Sequence, residues 1–291
     1  MQKRQFDIIT DTACDMPEAY LKANEIDFLK LGFTMNNVNY GGEDGEKISE
    51  KEFYDKLRGG AMPTTYQVTG ESAKTRIEAH LQKGRDVLAL AFSSGLSGTY
   101  GSYVVAAREL QEKYPERNII VIDSLCASMG QGLLLHYAIR KADSGASMEE
   151  TRAYLEQLKP RICHHFTADN LFHLMRGGRV SGVTALVGSL LKIKPVMYVS
   201  DAGKLVVRGK VMGRKKAISA LAEAMAERAE LQKDDPIFIS HGDCESEALV
   251  LKEILQKKYP DNEIMLHYIG AVIGAHAGAG TIALFHLGKH R

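Results

Sequence analysis

Short apolar runs alternate with longer amphipathic segments over the first half of the chain. The runs that predict strands are 6–10, 28–35, 87–92 and 118–123. The segments that predict helices are 99–113, 128–140 and 148–158. Because strands buried on both faces are typical of parallel sheets covered by helices, we predict an N-terminal α/β domain with a three-layer parallel sheet.

The second half has a different pattern. The strands predicted there are 162–168, 196–200, 204–212, 236–240 and 263–269. The turn Asp201-Ala202-Gly203 predicts a hairpin, so we expect a C-terminal α/β domain with a mixed or antiparallel sheet. Helices are predicted at 181–192 and 217–231, and the glycine-rich stretch 270–280 is expected to be a turn before a last helix. The break at Lys159-Pro160 divides the chain into domains 1–160 and 161–291.

Composition and charge narrow the class of protein. The 291 residues carry 37 Lys and Arg against 36 Asp and Glu, a net charge of +1 that argues against a nucleic-acid partner. The four cysteines are scattered, which fits a reducing compartment and suggests no zinc or redox pair. Since we find neither a signal peptide nor an apolar run of about 18 residues, we expect a cytoplasmic protein without a membrane span.

The segment AFSSGLSGTY (91–100) is the strongest local signal for a site. It joins a predicted buried strand to a predicted helix, and the carboxyl ends of parallel strands form the ligand crevice of such sheets. Ser93, Ser94 and the helix-start amides could therefore hold a carboxylate or phosphate. The alternative interpretation is a helix cap with a glycine turn.

Four further side chains are candidates for binding a ligand or a metal ion. Thr65, in the predicted loop 63–67, could donate its hydroxyl to a ligand or cap the next helix. His276, among small residues, has room for a ligand or is satisfied by the backbone. His164 and His165 point to opposite faces of a strand and cannot readily chelate one ion, so we predict no metal and no cofactor.

Enzymatic chemistry is the rival hypothesis. Ser93 or Ser97, with His276 as base, could carry serine-dependent acyl or phosphoryl transfer. However, Gly95-Leu96-Ser97-Gly98 does not match the G-x-S-x-G nucleophile elbow. The basic stretches 175–182 and 204–216 are either solvated faces or a docking surface for an acidic partner or a phosphorylated head group.

Seven strings, taken in order along the chain, resemble the DegV family of bacterial fatty-acid-binding proteins. They are DTACDMP, TTYQ, SSGLSGTY, the Asp123-Ser124 strand end, LMRGGRVSG, KIKPV and IGAVIGAHAGAG. The resemblance implies two α/β domains that hold a long-chain fatty acid of the palmitate, stearate or oleate type. It places the carboxylate at the interdomain cleft and the acyl chain in a tunnel in the C-terminal domain.

The resemblance also implies roles for individual residues. It makes the head-group ligands Thr65, Ser93 or Ser94, and His276, with Arg179 near the same cleft. It also implies that some members present the bound fatty acid to a fatty acid kinase subunit. Because the sequence offers clustered Ser, Thr and His donors and no nucleophile–base–acid set, we expect a carrier without catalysis of its own.

Three positions depart from the family pattern. Met212 replaces an arginine. If that arginine serves the kinase, either Arg208 or Arg214 substitutes for it or this protein does not present its ligand to a kinase. Tyr66 narrows the entrance, and the sequence His276-Ala277-Gly278-Ala279-Gly280 loosens the last turn because it lacks a hydroxyl and a proline.

Overall fold

The computed structural model of the chain describes residues 4–181 and 192–291. The strands of its first half are β1 (Asp7–Asp11), β2 (Asp27–Leu29), β3 (Gly32–Met35), β4 (Val38–Gly41), β5 (Thr64–Tyr66), β6 (Val87–Ala91) and β7 (Ile119–Asp123). The helices are α1 (Glu18–Ala23), α2 (Glu50–Arg58), α3 (Gly70–Leu81), α4 (Thr99–Lys113), α5 (Met129–Asp143) and α6 (Met148–Leu158).

Four of these strands form a parallel sheet in the order β2-β1-β6-β7. Alternate residues of β6 enter different cores because successive side chains of a strand point to opposite faces. Leu88 and Leu90 pack with α5, whereas Val87, Ala89 and Ala91 pack with α3 and α4. The predicted three-layer parallel sheet is therefore confirmed.

A small antiparallel sheet, in the order β4-β3-β5, departs from the prediction. The predicted strand 28–35 divides between β2 and β3, and the intervening Leu31 donates its N–H to Thr12 Oγ1 at 3.0 Å. Residues 64–66, expected in a loop, form β5 instead. The ring of Tyr66 occupies the space that a side chain at Gly32 would need, so this close strand approach requires glycine there.

The second half is built on a mixed sheet. Its strands are β8 (Ile162–Thr167), β9 (Val180–Ser181), β10 (Ile193–Val199), β11 (Leu205–Met212), β12 (Ile237–His241), β13 (Ile264–Tyr268) and β14 (Ile282–Leu287). Its helices are α7 (Phe172–Gly177), α8 (Arg214–Arg228), α9 (Glu245–Lys258) and α10 (Ala271–Ala277). The strand order is β13-β12-β14-β8-β10-β11-β9. The predicted hairpin is β10–β11, and its turn uses Gly203 at φ +67°.

The prediction for the last segment is wrong. The glycine-rich stretch contains helix α10, and the final apolar run is strand β14 rather than a helix. Periodicity alone does not distinguish a short buried strand from a buried helix, and β14 is buried throughout between β12 and β8. Most of the helix predicted at 181–192 lies outside the described residues, and Ser181 ends β9.

The two halves share one apolar core. Helix α5 precedes residue 160 in the chain but packs against β8, β12 and β14 of the mixed sheet. Leu133 of α5 therefore belongs to the same cluster as Phe166 and Phe285. This packing brings the carboxyl edge of the parallel sheet against one face of the mixed sheet.

Candidate ligand-binding site

An apolar cavity of about 340 Å³ lies where the two sheets meet. The segments that follow β6 and β7 line one side, and β8, β14 and α10 line the other. On β8 the residues at spacing two, His164 and Phe166, line the cavity, and Ala283 and Phe285 do so on β14. Phe166 lies opposite Ala283 in the strand register, and His164 lies opposite Phe285, so both strands turn one face to the cavity.

Two of the polar side chains that line this cavity are hydrogen-bonded to each other. Thr65 of β5 and His276 of α10 both line the cavity, and Thr65 Oγ1 lies 2.8 Å from His276 Nε2. Gly177 allows this position for the imidazole, because a Cβ there would lie 2.3 Å from His276 Nδ1. His276 Nδ1 is buried and has no hydrogen-bond partner among the described residues. Among the described residues, the pair therefore has one polar atom without a hydrogen bond.

Positive charge surrounds this pair. Arg179 lines the cavity and donates to the carbonyls of Leu96, at 3.3 Å, and Gly177, at 2.6 Å. Burial, and then the charges of Arg179 and Arg176, lower the pKa of His276 to about 4. The imidazole is thus neutral at neutral pH, and no Asp or Glu is among the described lining residues. This part of the cavity suits an anion.

The two serines of the predicted anion site lie outside the cavity lining. Ser93 is fully buried, and its Oγ donates to the carbonyl of Gly203 at 2.8 Å. Ser94 is exposed, and its N–H donates to Asp123 Oδ1 at 3.1 Å. The cavity is lined instead by Ser97 and Gly98, at the start of α4. The Ser93 hydroxyl therefore ties the loop after β6 to the β10–β11 turn. Binding of a ligand by Ser93 stays a prediction.

The serine–histidine pairing of the rival hypothesis is absent among the described residues. His276 is bonded to Thr65, and the Ser97 hydroxyl lies 3.0 Å from that of Thr99. Ser97 also accepts the N–H of Thr99 at 3.2 Å, which forms a local turn at the start of α4.

Arg208 and Arg214 lie in different surroundings from each other. Arg208 of β11 is one-third exposed and pairs with Glu227 at 2.5 Å. The Arg214 side chain is only 14% exposed, because it pairs with Glu247 at 2.7 Å and donates to the carbonyl of Gly280 at 2.5 Å. Docking of a partner at either residue stays a prediction, and Arg214 has little surface to offer.

Residue-level reasoning missed His164 as part of the cavity. Its Nε2 accepts the N–H of Ala127 at 3.3 Å, and its Nδ1 lies 3.0 Å from the carbonyl of Ile162. The signal was present in the sequence, because two adjacent histidines in a strand must face opposite sides. What the sequence did not reveal is which of those sides the ligand cavity occupies.

The fold and the site together define a class: an α/β protein that encloses an apolar cavity with proton donors and cationic side chains at one part of its lining. The DegV family model matches residues 5–289. A DegV domain-containing protein of Clostridium perfringens is 43% identical over 98% of both chains. The chain therefore belongs to the DegV family, as the sequence motifs predicted.

Solved structures match over almost the full chain. A DegV family protein from Thermus thermophilus, described by its fatty acid binding, has a TM-score of 0.88 and 30% identity, covering 98% of this chain and all of the other. DegV from Bacillus subtilis, described as a fatty acid binding protein, has a TM-score of 0.84 and 30% identity, covering 99% of this chain and all of the other.

None of the helices in the described part of the chain combines the length and the hydropathy that a membrane span requires.

Proposed function

We propose that this protein binds a long-chain fatty acid in the cavity between its two sheets. The carboxylate would lie beside Thr65, His276 and Arg179, and the acyl chain would run along the apolar walls of β8 and β14. The observation that carries this proposal is the Thr65–His276 pair in the lining of an apolar cavity that has no acidic residue among its described lining. The fatty acid binding named for the Thermus and Bacillus proteins supports it.

The acyl chain supplies most of the binding free energy in this proposal. About 15 methylenes at roughly 0.8 kcal/mol each give on the order of 12 kcal/mol of transfer free energy. The loss of translational, rotational and chain freedom offsets several kcal/mol of that. The wall residues Phe166, Leu174 and Phe285 are themselves buried, so the cavity provides the apolar surroundings that this transfer requires.

The polar residues determine the position and charge of the carboxyl group. A carboxylate buried without donors would have a raised pKa and would bind as the neutral acid. The mutual hydrogen bond of Thr65 and His276 uses one of their two protons, so one donor of the pair and the charge of Arg179 favour the ionised form instead. The donors thus fix the orientation of the ligand, while the acyl chain supplies affinity.

We further propose that the protein is a carrier without catalysis of its own. His276 is engaged by a threonine hydroxyl rather than by a nucleophilic serine, which supports this view. Tyr66 and Gln67 line the cavity and are also exposed, so this rim is where a partner such as a fatty acid kinase would reach the carboxylate.

Native mass spectrometry of the protein after gentle purification tests the proposal. We expect a mass increase of one long-chain fatty acid per chain, and its loss after organic extraction. Extracted protein should then take up added palmitate or oleate with one-to-one stoichiometry. A ligand-free mass together with no uptake of either acid would contradict the proposal.

A further inference from the structure

A second cavity, of about 260 Å³, lies beside the C-terminal ends of β10 and α8. His165 of β8 and Tyr198 of β10 both line it, and they are paired directly in the antiparallel register. Side chains of directly paired residues share one face of a sheet. His164 and Val199 border both this cavity and the fatty-acid cavity. The second cavity has no part in the function proposed above.

Three arginines give the second cavity a positive charge. Arg208, Arg228 and Arg291 line it, and no Asp or Glu is among its described lining residues. The guanidinium of Arg291 is held by backbone carbonyls, including those of Leu125 at 2.7 Å and Lys159 at 2.6 Å. It is therefore fixed in place and contributes charge without spare donors.

The other two arginines have donors to offer. Arg228 uses Nη1 for the backbone oxygens of His290 and Arg291, and Arg208 uses Nη2 for Glu227. Among the described residues, the remaining nitrogens of both guanidinium groups make no hydrogen bond. Two guanidinium groups that converge on one cavity are well suited to the oxygens of a phosphate or carboxylate.

His165 offers the cavity a hydrogen-bond acceptor, whereas the arginines offer donors. Its Nε2 lies 3.1 Å from His286 Nε2, and His286 Nδ1 lies 3.0 Å from the carbonyl of Leu287. Since a carbonyl only accepts, His286 carries its proton on Nδ1, and His165 must donate from Nε2. His165 Nδ1 is then an acceptor, and it is buried without a partner among the described residues. A ligand that supplied an O–H group would satisfy it.

A metal ion is the competing occupant. Cys163, His165 and His286 bring one ligand atom each to within 4.8 Å of one another, a cross-strand cluster that the sequence analysis did not foresee. However, the charges of Arg228, Arg291 and Arg161 all act on the Cys163 thiol. Nearby positive charge opposes a divalent cation and favours an anion. The positive charge near this cluster therefore favours an anion over a metal ion as the occupant.

We propose that this second cavity binds a small phosphate-bearing anion that also carries an O–H group. Arg208 and Arg228 would hold the phosphate oxygens, and the O–H would donate to His165 Nδ1. Hydrogen phosphate is the smallest such ion. Because a water molecule occupies about 30 Å³ of the liquid, a cavity of 260 Å³ has room for a phosphate ester of a small alcohol.

Isothermal titration calorimetry with three probes tests this assignment on the whole protein. We expect inorganic phosphate and glycerol 1-phosphate to bind saturably with one-to-one stoichiometry. Tighter binding of the ester would identify an organic phosphate as the preferred source, and equal binding would identify free phosphate. Sulfate has no O–H at neutral pH, so it should bind roughly tenfold more weakly than phosphate.

Arg208→Gln and Arg161→Gln form a matched pair of variants. Both arginine side chains are about one-third exposed, and each pairs with one glutamate, Glu227 at 2.5 Å and Glu230 at 2.8 Å. Only Arg208 lines the cavity. Arg208→Gln should weaken phosphate binding by roughly tenfold or more, while Arg161→Gln, which removes a nearby charge but no donor that lines the cavity, should weaken it much less. Both variants should keep the thermal unfolding midpoint and the fatty-acid binding of the wild type.

Three results would overturn the assignment. The first is no saturable binding of phosphate or glycerol 1-phosphate at millimolar concentration. The second is an equal loss of binding in both arginine variants, which would indicate unspecific charge attraction. The third is one-to-one binding of zinc alone that Cys163→Ala abolishes, with no phosphate binding, which would assign the cluster to a metal. None of these results depends on whether a fatty acid binds.

Discussion

Thr65 and His276 lie 211 positions apart in the chain, yet their side chains meet at 2.8 Å. The pairing β3–β5 places Thr65, and the packing of α10 against β5 brings His276 to it. Neither residue carries a formal charge at neutral pH, because burial and two nearby arginines lower the pKa of the imidazole. The pair therefore offers hydrogen bonds, and the arginines offer charge.

Replacing the Thr65 hydroxyl should weaken fatty-acid binding. In Thr65→Val one donor is lost at nearly constant volume, so we expect a loss of about 1–2 kcal/mol, or roughly 5- to 30-fold in Kd for oleate. Thr64→Val is the matched control, because Thr64 is its exposed neighbour on β5 and does not line the cavity. Displacement of a fluorescent fatty acid measures both variants. Equal affinities in Thr65→Val and wild type would remove Thr65 from the head-group site.

Asp15 should make the stability of the protein depend on pH. It is fully buried, accepts a hydrogen bond from Ser128 at 2.6 Å, and has φ +49°. Burial raises its pKa to about 8 from an ordinary value of 3.8. The folded state therefore binds more protons than the unfolded state between these values, and the contribution of Asp15 to stability falls as pH rises from about 4 to about 8.

Asp15→Asn should remove this dependence. Asparagine tolerates the left-handed backbone conformation and stays neutral, so the variant should gain stability relative to wild type as pH rises towards 8. Urea unfolding of both proteins at pH values across this range measures the difference, and subtraction cancels the other titrating groups. A difference in unfolding free energy that does not change with pH would show that Asp15 ionises normally.

Strands β8 and β14 together form one wall of the cavity. Ala283 is the smallest side chain of this wall, and it lies opposite Phe166 in the register. Its small size leaves room that a larger residue would fill. In the proposed complex, the preferred chain length of the fatty acid would therefore depend on residues of this strand pair.

Ala283→Leu should shift the preference towards shorter fatty acids. If the larger side chain excludes about two methylenes at roughly 0.8 kcal/mol each, stearate affinity should fall about tenfold relative to laurate. Ala283→Ser, with nearly the volume of alanine, should keep the wild-type ratio of the two affinities. Competition between the two acids, read by native mass spectrometry, gives that ratio. An unchanged ratio in Ala283→Leu would show that the acyl chain does not reach Ala283.

At the scale of the whole molecule, the shared core predicts cooperative unfolding. Helix α5 packs on the mixed sheet, and one apolar cluster contains residues from both halves. Scanning calorimetry should therefore show a single transition, with equal calorimetric and van't Hoff enthalpies, and bound fatty acid should raise its midpoint. Two separate transitions in the ligand-free protein would instead support independent domains divided at residue 160.

The sequence allowed much of the layered architecture to be predicted. The run of β6 and the hairpin around Gly203 were identified correctly, because local pattern and turn chemistry determine them. The small sheet and the strand β14 were not foreseen. Strands β5 and β14 pair with segments distant in the chain, and short apolar runs are compatible with more than one element. The β3–β4 pairing is a local hairpin, and its turn signal at Asn36 and Asn37 was missed.

The family, the alternation of strands and helices, and the set of side chains that could bind a ligand all follow from the sequence alone. Only the tertiary structure decided among those side chains. It brought Thr65 to His276, turned His164 towards the cavity, and engaged the Ser93 hydroxyl with the carbonyl of Gly203. The physical reason is that hydrogen bonds and burial depend on distances between residues far apart in the chain, which packing sets and local patterns do not encode.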